Sequence, residues 1–510
     1  MSSNGKTPMR PRKALVVGGG PVGALTAASL HKRGWEVELW ESRDDPRGRS
    51  IAMTNLRSIN LNISARGLGA LESVDPKLGQ LLLDESIEMP SRLIHFVDGR
   101  TEAQLYDPLR GNCSNSISRS VLNQRLIEAL PETIDTKFNT KLTRVDFHSQ
   151  TAYGIATSRG HGLGEEGDVS ETSTPNRSAE VVSQFDLIVG ADGSWSRVRE
   201  QMMRHQRVDF AQTFIPHAYI ELHMPPDPTK PGGFAMPPNH LHIWPRQSFM
   251  LIALPNTDGS FTLTLFIPFK ELDKVRTRDE ATAFFNKHFP SAVAVVGDRL
   301  VDDFMANPRG NLVTISVDPS TYSSHAVLLG DACHSMVPFY GQGLNCGLED
   351  VRVLGTYLDN YGISGSTDTA LGEKDHELAT ALTAYSTERA ADLKAICELA
   401  MNNYVEMRSS VLSPLYHLRR GVDYILTRIW GSIPQPLSPY IAFPTTHVRG
   451  WTAMYDMVTF RPDISYAEAQ RQEQWQKRMV QNSAVVGAAA IAGAVGIFAL
   501  KAAQPWLQRR

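Results

Sequence analysis

The chain has 510 residues, enough for two or three domains, and its 42% hydrophobic and 21% charged residues are the composition of a globular protein. A formal net charge of −3 gives no global attraction to nucleic acid, so a nucleic-acid partner is not expected. Four cysteines (Cys113, Cys333, Cys346, Cys397) show no CxxC spacing, which argues against zinc or a redox dithiol and fits a reducing compartment. Met1 to Lys13 is basic without an apolar run, so no secretory signal is expected.

In chain order, Lys13 to Val17 reads as a short apolar strand. Gly18, Gly20 and Gly23 then fit GxGxxG, and Ala24, Ala27, Ala28 and Leu30 form a small-residue helix face. Gly34 breaks that helix, and Glu36 to Trp40 alternates as a second strand ending in Glu41. This is a complete βαβ opening for a dinucleotide: the glycines allow pyrophosphate approach and Glu41 can accept from a ribose hydroxyl. It does not separate FAD from NAD(P). Residues 87–106 read as strands of a second sheet. Arg92 interrupts their apolar alternation, and a solvent-facing arginine is the plain alternative there. Ser118 opens a helix through Leu130. Residues 159–180 are polar and read as a solvated, mobile hairpin loop or insertion.

Phe185 to Gly190 is again a buried strand, ending in Asp192-Gly193. Residues 218–268 read as β, a substrate-side sheet, and Arg278 to His288 as a helix. Val327 to Leu329 is a third strand ending in Gly330-Asp331. Gly341, Gly343 and Gly347 lie in or next to the loop that follows. Leu344, Leu348, Val351, Leu354 and Leu358 then recur at helical spacing up to a C-cap at Gly362. Residues 376–430 read as helical with a break near Pro414, and Ala467 to Met479 as a polar helix. Ala484 to Leu500 carries no charged residue and is flanked by Lys477, Arg478, Lys501, Arg509 and Arg510. Its helical length of about 26 Å approaches the roughly 30 Å hydrocarbon core, so a membrane anchor is expected, with a buried helix as the alternative.

GxGxxG with Glu41, then Asp192-Gly193, then Gly330-Asp331, in that order, resembles the class A single-component flavoprotein aromatic hydroxylases with a para-hydroxybenzoate hydroxylase-like fold. That resemblance covers about residues 11–360. Arg57 to Leu61, Pro338 to Asn345, Asn403 to Met407 and Met457 to Phe460, with Tyr466 and Trp475 beyond, resemble the kynurenine 3-monooxygenase family and extend the likeness over nearly the whole chain. It implies an α/β fold: a Rossmann-like FAD-binding domain interleaved with a β-sheet substrate domain, then a helical region and a terminal membrane helix. The expected division is FAD-binding at 11–75, 115–205 and 321–370, substrate domain at 76–114 and 206–320, helical region at 371–479 and anchor at 480–510.

It further implies bound FAD, NADPH as a passing hydride donor, and O2. The implied reaction is hydroxylation of L-kynurenine to 3-hydroxy-L-kynurenine through a flavin C4a-hydroperoxide, in tryptophan degradation and NAD synthesis. The implied place is the mitochondrial outer membrane, with the catalytic body facing the cytosol. Carried over position by position, Gly18, Gly20, Val22, Gly23, Glu41, Arg43, Arg119, Leu142, Asp192, Asp331, Leu344 and Asn345 would contact FAD. Arg92, Tyr106, Asn403 (or Asn402) and Tyr455 would bind the substrate, and Phe339, Tyr340 and Gln342 would line the space between substrate and flavin. No catalytic base and no metal are expected. His334, Cys333 and Cys346 read as structural. The departures from the family pattern are the 159–180 insertion and Asn62, neither expected at the chemistry. Two alternatives stay open: a class A hydroxylase of another phenol or aromatic, and a flavin-binding membrane adaptor without turnover.

Overall fold

The computed structural model describes residues 9–48, 60–158 and 177–482. Its centre is a six-stranded sheet in the order Thr321–Tyr322, Ala326–Leu328, Leu187–Gly190, Lys13–Val17, Glu36–Trp40, Asp135–Lys137. The last five of these strands run parallel, and only the two-residue edge strand is antiparallel. Strands buried on both faces need apolar runs rather than alternation, and Leu15, Val16, Leu39, Leu187, Ile188 and Val327 are fully buried. Parallel pairing brings four strand ends to one edge. Gly18, Glu41, Asp192 and Asp331, which are scattered over 314 residue numbers, thus become neighbours in the fold.

Two helices cover this sheet and begin at that edge, Pro21–Lys32 and Gly343–Asn360. The second has the apolar stripe that the leucine spacing predicts: Leu348, Val351, Leu354 and Leu358 are buried. A second, seven-stranded sheet runs Gly310–Asp318, Asp209–Met224, Phe261–Pro268, Phe249–Pro255, His240–Arg246, Ser91–His95, Thr101–Leu105. One face packs on the helices Arg278–His288, Pro290–Val296 and Arg299–Ala306 through Phe285, Phe289 and Phe304. The other face turns toward the parallel sheet.

The long helix His376–Arg408 and the helix Pro414–Trp430 follow, separated near Pro414 as the sequence predicts. A helix over residues 466–482 then packs beside them. The polar insertion has a hairpin stem, Thr151–Ser158 paired antiparallel with Arg177–Gln184, so residues 177–180 are strand rather than loop. The rest of that insertion and the anchor beyond residue 482 lie outside the described residues, as do Arg57, Ser58 and Ile59. Among the described residues no helix is long and apolar enough to cross a membrane.

Candidate functional site

A cavity of about 400 Å³ runs from the carboxyl edge of the parallel sheet to the inner face of the seven-stranded sheet. At the first end it is lined by Gly20, Val22, Arg119, Asp331 and Leu344, all expected at the cofactor. The chain turns here because its glycines allow it. A Cβ on Gly23 would stand 1.8 Å from the Gly18 carbonyl oxygen, and Gly18 holds φ +104° against Ala191. Gly20, in contrast, faces open space, with nothing within 4 Å of a Cβ built there. Tight packing at Gly18 and Gly23 with an open approach at Gly20 is the geometry a pyrophosphate needs.

Glu41 is buried at the end of its strand and accepts from the N–H of Gly19 (2.7 Å) and of Arg43 (2.8 Å). Burial opposes its charge, but the Arg43 side chain and these N–H groups outweigh it and hold the carboxyl below its ordinary range. Asp192 accepts from the N–H of Arg197 (2.6 Å) through one oxygen, while its other oxygen is buried without a partner. Asp331 lies deep in the molecule yet opens onto the cavity. The surrounding protein pushes its carboxyl up, and His334 and Arg119 draw it partway back. Neither Gly20 nor Gln342 caps its helix with a side-chain hydrogen bond, so both helix N-termini keep main-chain N–H groups for an anion. The cavity-facing Asp331 carboxyl, an open glycine approach and two uncapped helix starts fit the hydroxyls and phosphates of FAD.

Arg92, Tyr106, Asn403 and Tyr455 meet at the other end, from four distant segments. Arg92 sits in the strand Ser91–His95 and is buried, so it is not the solvent-facing arginine that strand alternation allows. Its Nη2 donates to Glu406 and to the Tyr416 hydroxyl, both at 3.2 Å, while its Nε is buried without a partner. The rings of Tyr106 and Tyr455 stack at 4.9 Å, and the guanidinium stands 6.0 and 5.8 Å from their centroids. Asn403 lines the cavity and donates to the Phe339 carbonyl (2.7 Å), whereas Asn402 is exposed on the helix surface. Phe339 stacks on Tyr404 at 3.9 Å, and Tyr340 stacks on Tyr455 at 5.7 Å. Both rings line the cavity between its two ends.

Eight expected residues do not line the cavity: Gly18, Gly23 and Glu41 shape the turns beside it, and Leu142, Gln342, Arg43, Asp192 and Asn345 are engaged elsewhere. Leu142 is buried in a core cluster with Trp40 and Phe185, where its strand packs against the parallel sheet. Gln342 turns inward and accepts from the Tyr466 hydroxyl (3.1 Å). Arg43 stands on the surface, paired with Glu41. Asp192 lies behind Gly193 and Ser194, which do line it. Asn345 uses its amide to tie the loop: Oδ1 accepts from Ser64 N–H (2.9 Å), and Nδ2 donates to the Asn62 and Gly341 carbonyls, both at 2.8 Å. Asn62 itself lines the cavity, contrary to its expected distance from the chemistry.

His334, read from sequence as structural, is buried and bonded to Asp350 at 2.5 Å. His334, Asp350 and Cys346 come within metal-ligand distance of one another, but Arg389 donates to Asp350 (3.0 Å) and lies 3.5 Å from the Cys346 sulfur. That guanidinium already supplies the positive charge a cation would bring.

The apolar walls escaped the motif reading. Met250, Ile252 and Leu254, with Thr264 and Phe266 on the neighbouring strand, line the cavity. The intervening Leu251, Ala253, Leu263 and Leu265 pack on the outer helices. Every residue of Phe249–Pro255 is apolar, so the strand carries no polar–apolar alternation to mark the face that meets a ligand.

Comparison with known proteins places this geometry. The FAD binding domain family matches residues 155–395, and the NAD(P)-binding Rossmann-like domain family matches residues 16–72. The chain is 60% identical over 504 residues to the kynurenine 3-monooxygenase of Cryptococcus neoformans var. neoformans serotype D, covering 98% of this chain and 99% of that one. It is 38% identical to the kynurenine 3-monooxygenase of Candida albicans, covering 97% and 98%. Among solved structures, 2-methyl-3-hydroxypyridine-5-carboxylic acid oxygenase aligns with TM-score 0.58 and 19% identity, over 79% of this chain and 95% of that one. Klebsiella pneumoniae HpxO, solved with FAD and uric acid, aligns with TM-score 0.56 and 16% identity, over 80% and 93%, a likeness of fold. The cofactors are FAD and its nicotinamide partner NADPH. With near-complete coverage at 60% identity, the chain belongs to the kynurenine 3-monooxygenase family and is an FAD-dependent monooxygenase.

Proposed function

We propose that the chain hydroxylates L-kynurenine to 3-hydroxy-L-kynurenine with NADPH and O2. The observation that carries this reading is Arg92, a buried guanidinium at the cavity end with an unpartnered Nε–H. A buried donor of that kind calls for an anion, and the carboxylate of an amino-acid substrate supplies one in fork geometry. Glu406, 3.2 Å from Arg92, gives the same end a negative partner for the substrate ammonium. Tyr106 and Tyr455 offer flat faces and hydroxyls beside it, and Asn403 closes the site from the long helix.

FAD would be held by the main chain around Gly18, Gly20, Val22 and Gly23 and by Glu41, Arg43, Arg119, Asp192 and Asp331. The N-terminal turn at Leu344 and Asn345 would add main-chain N–H groups. When bound, FAD takes reducing equivalents from NADPH, activates O2 and supplies one oxygen atom for the aromatic ring. The protein's part is position and dryness. Phe339, Tyr340, Phe266 and the strand residues Met250, Ile252 and Leu254 exclude water from the space where oxygen is transferred. The arylamine already directs electron density to the carbon that reacts, so no protein base is assigned.

Stopped-flow reduction of the flavin-loaded protein by NADPH, with and without L-kynurenine, tests the reading. Strong acceleration with 3-hydroxykynurenine as product is expected. Bound FAD that ignores kynurenine and responds instead to a phenol would transfer the chain to another hydroxylase specificity. We also propose that Ala484 to Leu500 anchors the protein in the mitochondrial outer membrane with the described body in the cytosol. Protease added to intact mitochondria should remove the body while leaving lumenal markers untouched; protection of the body would reject that topology.

A further inference from the structure

The helix Pro414–Trp430 has two faces of different character. Toward the protein, Arg419 pairs with Asp423 (3.0 Å) and Glu473 (3.4 Å), and Arg420 donates to the Leu105 carbonyl (2.7 Å). Away from it, Leu415, Leu418, Ile425 and Ile429 are 73, 65, 54 and 75% exposed. Their spacing of three, seven and four residues lays them on one stripe along the helix. Trp430 and Ile433, 56 and 79% exposed, prolong the apolar run past the helix end. Scattered apolar residues on a surface are ordinary, but an apolar stripe over four turns that the described residues leave uncovered marks an interaction surface.

The course of the chain says what covers it. The helix over residues 466–482 packs on this one, with Trp475 at 6.2 Å from Trp430 and Glu473 against Arg419. It leads directly into Ala484 to Leu500, a run without a charged residue, preceded by Lys477 and Arg478. The helix that bears the stripe is therefore packed about two turns before the apolar tail begins. Its borders carry Tyr424 and Arg428, both exposed, the residue types that settle at a lipid headgroup layer. The helix is 17 residues long and contains Arg419, Arg420, Asp423 and Arg428, which suits lying along a bilayer rather than crossing it.

We propose that Pro414–Trp430 is an interfacial docking helix whose stripe rests on the phospholipid surface beside the tail. The opposite face of the same helix places Tyr416 at 3.2 Å from Arg92. The bilayer surface and the amino-acid end of the cavity are thus joined by a single helix, so the membrane backs one wall of the substrate site. This inference rests on the reading of Ala484 to Leu500 as an anchor.

The test uses the full chain carrying Cys113→Ser and Cys397→Ser, with one environment-sensitive fluorophore at a time on Ile425→Cys, Ala492→Cys or Asn286→Cys. The protein is bound to phosphatidylcholine vesicles with and without lipids bearing a quencher on a shallow acyl carbon. Quenching of about twofold at positions 425 and 492, with none at the exposed position 286, is expected for a helix seated at the interface. Quenching at 492 alone would keep the anchor and overturn the docking. No quenching at either would overturn both. A label at 425 that is already shielded without vesicles and unmoved by them would show that the tail or a second copy covers the stripe, which also overturns the proposal.

Discussion

The two ends of the cavity are built in opposite ways. At the dinucleotide end the main chain does most of the work. Glycine turns and two helix starts present N–H groups, and the carboxylates Glu41 and Asp192 spend part of their capacity holding those turns. At the amino-acid end side chains do the work. Arg92 comes from a sheet strand, Tyr106 from the segment after the next strand, Asn403 from the long helix and Tyr455 from a short helix near the end of the described chain. A site made of main chain needs particular residues at fixed spacings. A site made of side chains needs only that distant segments be carried to one place. The seam between the two ends is a buried charge cluster. Arg66 pairs with Glu349 at 2.6 Å under the Gly343–Asn360 helix, and donates to the carbonyls of Met457, Val458, Arg461 and Ile464, just past Tyr455.

The largest expected effect is therefore at the seam. Arg66→Leu leaves Glu349 fully buried with one fewer guanidinium and frees four carbonyls in the Tyr455 segment. Loss of a partner from a buried pair costs about 3–5 kcal/mol. Thermal unfolding should show this as a large drop in Tm, with flavin content and kynurenine affinity falling together. A variant that kept one and lost the other would show that the two ends are not mechanically joined here.

Leu142→Ala separates core from cofactor contact. Removing a buried leucine costs about 2–5 kcal/mol in stability. Because Leu142 lies in the cluster with Trp40 and Phe185 rather than on the cavity, FAD affinity per folded molecule should stay unchanged. A selective loss of FAD would return Leu142 to the cofactor site. This residue also shows how legibility was divided. The βαβ opening, the strand ends at Asp192 and Asp331 and the leucine stripe of the helix after Gly343 follow from local spacing, and the described fold has them in those places. Leu142, Gln342 and Asn345 followed from position within a pattern, and their side chains point elsewhere. Pattern fixes where the chain runs, while tertiary neighbours decide what each side chain touches. The cavity walls Met250, Ile252 and Leu254 were hidden for the same reason, since both faces of their strand are apolar.

Arg92→Lys tests the side-chain end alone. A lysine keeps the charge but loses the fork and cannot satisfy both Glu406 and a carboxylate from the same place. Loss of a charge-assisted hydrogen bond of this kind costs about 1.5–3 kcal/mol, or about 10- to 150-fold in kynurenine affinity. FAD content should be unaffected. Titration of kynurenine against flavin fluorescence reads the affinity, and an unchanged value would remove Arg92 from the substrate site.

The smallest effect sharpens the comparison most. From sequence, Asn345 at the start of the flavin-side helix suggests that Asn345→Asp would place a negative charge by the flavin and lower its reduction potential. In the fold that side chain turns away from the cavity, and its Nδ2 donates to the carbonyls of Asn62 and Gly341. An aspartate there faces two carbonyl oxygens with no hydrogen to give, which strains the loop at a cost of about 1–3 kcal/mol. The expected outcome is a lowered Tm and loosened flavin, with the potential of the flavin that stays bound nearly unchanged. A clear fall in potential at unchanged Tm would mean that the side chain reaches the cofactor after all. The dinucleotide end would then depend on side-chain charge in the way the amino-acid end does.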